Sequence, residues 1–89
     1  MLGFLIRAAI GLAVAGAAAG IISVVIKGVI NKQKVQEQMR SSNVSNFLVE
    51  AINNSNNQVK LKDLDTDQEY MYEGEGISEE IYEGEVIYA

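Results

Sequence analysis

From Ala8 to Ile26 the chain runs for 19 residues without a formal charge, and Ser23 is the only member that is neither apolar nor glycine. As a helix this run reaches about 28 Å, close to the ~30 Å hydrocarbon core of a bilayer. The pattern predicts a membrane-spanning helix within residues 1–28. Leu2, Phe4, Leu5 and Ile6 extend it past Arg7, whose long side chain can reach the interface from near a helix end. Two other readings compete. Ala17-Ala18-Ala19 offers a small-residue cleavage site for a signal peptide. Seven alanines and three glycines also make the run weakly hydrophobic, as in a helix buried inside a soluble oligomer.

Ala9, Ala13, Gly16, Gly20 and Ser23 are spaced 4, 3, 4 and 3 residues apart. On a helix they form one stripe of small residues. In lipid, helices associate by close backbone approach, which small residues permit. The stripe is therefore a candidate helix-association face, either for self-association or for a larger membrane protein.

Residues 29–58 read as juxtamembrane helices and a polar linker. A helix is expected over 29–40, with Val29, Ile30, Val35 and Met39 as its apolar positions. Ser41-Ser42-Asn43 favours a break. Val44, Phe47, Leu48, Ala51 and Ile52 then follow the i, i+3, i+4, i+7, i+8 spacing of a short amphipathic helix. Asn53 to Gln58 carries no apolar residue and reads as a loop.

Residues 59–89 change period. Val59–Leu64 alternates, Asp65–Gln68 has turn chemistry, and Glu69–Glu73 returns as a second strand. Ser78–Tyr82 suits a single helical turn, and Glu85–Tyr88 a third short strand. The expected fold is α+β: an apolar helix, a short amphipathic helix, and a three-stranded antiparallel meander with the amphipathic helix as its lid.

Charge sharpens this layout. The overall net charge of −5 divides into +3 over residues 1–58 and −8 over residues 59–89. Lys27, Lys32, Lys34 and Arg40 follow the apolar run, where they would meet anionic headgroups and place the C-terminal side in the cytoplasm. The acidic half argues against nucleic acid as a partner.

Candidate chemistry is sparse. Histidine and cysteine are absent, which removes the commonest general base and the thiolate metal ligands. Asp63, Asp65, Asp67 and Glu69 alternate like the start of a calcium loop, but Gln68 and Gly74 stand where such a loop needs glycine and a bidentate glutamate. A solvated turn explains them better. No catalytic, metal or cofactor site is expected, and the chain does not read as an enzyme. Tyr70, Tyr72, Tyr82 and Tyr88 are the candidate partner-binding residues, as an aromatic platform beside an open sheet edge. The expected function is that of a small membrane-anchored adaptor whose acidic half binds a protein. The alternatives are a pore-forming oligomer and a soluble oligomer that buries the apolar helix.

Overall fold

The computed structural model describes residues 20–89. Its elements are β1 (Ile21–Val25), β2 (Val29–Ile30), α1 (Lys32–Ser41), β3 (Asn46–Asn53), β4 (Gln58–Asp63), β5 (Glu69–Glu73), β6 (Gly76–Ile77) and β7 (Val86–Tyr88). Five strands form one mixed sheet in the order β1-β5-β4-β3-β7. β1 pairs parallel with β5, and the other three pairings are antiparallel.

This architecture overturns the expected helix-plus-meander. Strands do occupy residues 58–63, 69–73 and 86–88, but β7 pairs with β3 rather than with β5. The place beside β5 is taken by β1, which comes from the end of the apolar run. A helix through residues 1–28 therefore does not continue across its last third, where the chain makes a turn at Gly20 and then a strand. Residues 1–19 lie outside the described residues. No helix among the described residues is long and apolar enough to cross a membrane.

The amphipathic helix expected over 44–52 is also replaced, by β3. The cause is a β-bulge. Phe47 and Val49 face the core in strand alternation, and the register then shifts between Val49 and Ala51. The inserted residue returns Ile52 to the inner face, opposite Val59. The inward spacing becomes 2 and then 3, which imitates the step of a helix. A helix of about ten residues is marginal alone. As a strand the same segment bonds along both sides, to β4 and β7.

The one helix among the described residues starts three residues later than expected, because Val29 and Ile30 belong to β2 and Asn31 is the cap. Asn31 caps it: the Lys34 amide donates to Asn31 Oδ1 at 2.8 Å. Val35 and Met39, one turn apart, are its fully buried face. They meet Ile30, Phe47, Val59, Leu61, Tyr72 and Ile87 in one core. Phe47, Tyr70 and Tyr72 pack edge-on, with ring centroids 5.0–6.4 Å apart.

β2 and β6 continue the β1–β5 pairing around a corner. Ile26 donates to Glu73 O at 2.7 Å, Glu75 to Gly28 O at 2.8 Å, and Ser78 to Ile30 O at 2.8 Å. Two chain segments thus run side by side from residue 21 to 30 and from 69 to 77. Gly74 lies at the closest approach. A Cβ there would stand 2.7 Å from Ile30 Cγ1 and 2.8 Å from Gly28 O.

Candidate interaction surface

An open sheet exposes backbone donors and acceptors at its two outer strands, and proteins usually cover or charge them. The two edges of this sheet are treated differently. β7 is covered by α1. Gln36 Nε2 donates to Tyr88 O at 2.9 Å, and Lys32 Nζ lies 2.5 Å from the carboxylate of Glu85, the buried residue just before β7. The Glu85 carboxylate also accepts from the Tyr82 amide at 3.3 Å. Its hydrogen bond and negative charge hold the Lys32 ammonium above the ordinary lysine range.

β1 has no such cover among the described residues. It contains no charge, no proline and four β-branched residues in five. Ile26 bonds Glu73 O, so by the alternation of a parallel ladder Ile22 and Val24 also direct their backbone groups toward β5. Ile21, Ser23 and Val25 then direct theirs outward, away from the sheet. Val25 is 78% exposed. Ile22 pairs with Tyr70 and shares its core-facing side, yet it remains 44% exposed. Among the described residues, nothing covers the core at that corner.

The residues expected to act as sites are scattered. Ala9, Ala13 and Gly16 lie outside the described residues. Gly20 has φ +89° in the turn before β1, and Ser23 sits mid-strand opposite Met71, so these two do not belong to a helical stripe. Lys27 and Lys34 come together, with Lys34 Nζ donating to Lys27 O. Lys32 is turned instead toward Glu85 and Glu80, and Arg40 is exposed in the last turn of α1. The four cations therefore do not make one membrane-facing patch.

The tyrosines divide in the same way. Tyr70 and Tyr72 are core residues, while Tyr82 and Tyr88 are 59% and 65% exposed. No four-tyrosine platform exists. The Tyr72 hydroxyl is buried without a hydrogen-bond partner among the described residues, and this burial, followed by the neighbouring Tyr70, raises its pKa well above the usual tyrosine value. Asp63 is buried and its carboxylate accepts from the Asp65 amide at 2.9 Å, so the acidic repeat builds the β4–β5 turn.

The surface feature that sequence reasoning missed is the edge of β1. A signal for the strand, though not for its place at the edge, was present. The apolar run changes from alanine-rich before Gly20 to Ile-Ile-Ser-Val-Val-Ile after it, the composition of a strand. Comparison with protein-family models, with curated proteins and with solved structures finds no match to this chain.

Proposed function

We propose that this protein is a membrane-anchored interaction module, in which residues 2–19 hold a folded β domain at the bilayer surface. One observation carries the reading: the sheet takes Ile21–Val25 out of the apolar run and leaves a segment whose one charge is Arg7. As a helix those 18 residues would reach about 27 Å, still near the thickness of the hydrocarbon core. Gly20 is the joint between the two parts. Lys27, Lys32 and Lys34 follow within about 15 residues of it, the distance over which positive charge favours the cytoplasmic side. The domain itself carries six basic and twelve acidic side chains, so anionic lipid repels it and the anchor must supply the attachment.

The test is fractionation of the full chain with an alkaline carbonate wash, beside Gly16→Arg. Retention of the parent in the pellet, release by detergent, and loss of retention in Gly16→Arg support anchoring. Release of the parent into the carbonate supernatant refutes it and favours a soluble assembly that buries the apolar segment. Deleting residues 59–89 would not test the adaptor role, because it removes β4, β5 and β7 and with them the sheet.

A further inference from the structure

We propose that two copies of this chain pair through β1, antiparallel about a two-fold axis at Ser23, to make one continuous ten-stranded sheet. The strand is self-complementary in this register. Ile21 lies opposite the second copy's Val25, and Ser23 opposite its own equivalent. Those three residues are the ones whose backbone groups point outward from the β1–β5 ladder. Each opposed pair exchanges two hydrogen bonds, about six in all.

Side-chain parity agrees. Ile22 falls opposite the second copy's Val24, and both lie on the core-facing side, since they pair with Tyr70 and Tyr72. The 44% exposure left at Ile22 is then covered by an apolar neighbour. On the outer side the opposed residues are Ile21, Ser23 and Val25, none of them charged. The nearest charges on that side are Glu69 and Glu73 of β5. They are separated from their equivalents by three strand spacings, ~14 Å, beyond the ~8–10 Å screening length at ordinary salt. A chain of net charge −5 can therefore approach itself along this edge. The other edge is closed to the same use, because Gln36 already occupies Tyr88 O.

Five residues on each copy make a small interface, below the area of a stable free dimer. The pair is accordingly weak in dilute solution and strong where copies are confined together, as on a membrane. The inference does not depend on anchoring, since fractionation reads that and cross-linking reads this.

The chain has no cysteine, so introduced thiols report cleanly. In the full chain, in detergent or in membranes, Ser23→Cys places two Cα atoms about 5.5 Å apart, within disulfide range. It should oxidise to a dimer at least tenfold faster than Ser55→Cys in the β3–β4 loop. Ile21→Cys alone should not, because its two copies stand ~14 Å apart along the strands. Mixed with Val25→Cys it should. Val25→Lys, at an exposed position, should keep its thermal midpoint and slow the Ser23→Cys reaction by a similar factor. Equal rates for Ser23→Cys and Ser55→Cys, or for Ser23→Cys and Ile21→Cys, would overturn the pairing.

Discussion

Replacing Tyr72 by phenylalanine should stabilise this protein. The side chain is fully buried, and its hydroxyl has no hydrogen-bond partner among the described residues. A buried unsatisfied hydroxyl costs about 1–3 kcal/mol relative to water. Phenylalanine keeps the ring and its edge-on contact with Phe47, at 5.8 Å, and removes only the oxygen. The void left is one atom wide, so lost dispersion returns a few tenths of a kcal/mol. A net gain of about 1 kcal/mol follows, which for a domain of this size raises Tm by roughly 4–8 °C. The pH dependence makes a second arm. Tyr72 has its pKa raised in the folded state, by burial first and by Tyr70 second. Its ionisation therefore favours unfolding. The contribution is constant below the unfolded tyrosine pKa of ~10 and falls by about 1.4 kcal/mol per pH unit above it. Tyr72→Phe should lose less stability than the parent between pH 10 and 11 by about 1 kcal/mol. Urea titrations at pH 7 and across the alkaline range measure both arms. A variant less stable than the parent by 1 kcal/mol or more at pH 7 would refute the reasoning, by showing that the hydroxyl has a partner after all.

Three further outcomes are expected. Gly74→Ala should lose about 1–3 kcal/mol in urea unfolding, because its Cβ would meet Ile30 and the Gly28 carbonyl within 2.8 Å; an unchanged midpoint would mean the β1–β5 corner yields easily. Asn31→Ala should cost about 1 kcal/mol by removing the cap on the Lys34 amide, whereas Asn31→Asp should retain most of it. Lys32 should titrate above the ordinary lysine value when followed by NMR, and Glu85→Gln should bring it back down. Its raised value means that this contact's stabilisation is present below the unfolded lysine pKa and is lost as pH rises through the folded one.

Where side chains alternate without interruption, the strands could be read from the sequence. Val59, Leu61 and Asp63 face inward while Lys60 and Lys62 face out, and the polar turn at 64–68 sets the β4–β5 register. Val35 and Met39 marked the buried face of α1 equally well. Reading failed at two places for physical reasons. The bulge in β3 turned strand alternation into helix-like spacing. In β1, where polar residues do not alternate with apolar ones, periodicity could not separate a strand from a buried or spanning helix. The open edge followed from that second error. It is a property of strand order, and a partner 48 residues away leaves no local signature on Ile21–Val25.

That separation also shapes how the protein is made. During synthesis β1 is complete 48 residues before the strand that will bind it. At ~5–20 residues per second the interval lasts about 2–10 seconds. Throughout it, Ile21–Val25 lacks its native partner while residues 26–68 are added behind it. On the proposed anchoring, the nascent chain would meet the membrane with an apolar segment longer than the finished domain leaves free. Arrival of Glu69–Glu73 then draws one strand's length out of that segment and into the sheet. On that proposal, insertion and folding would compete for the same five residues, and the order of translation would give insertion the first opportunity.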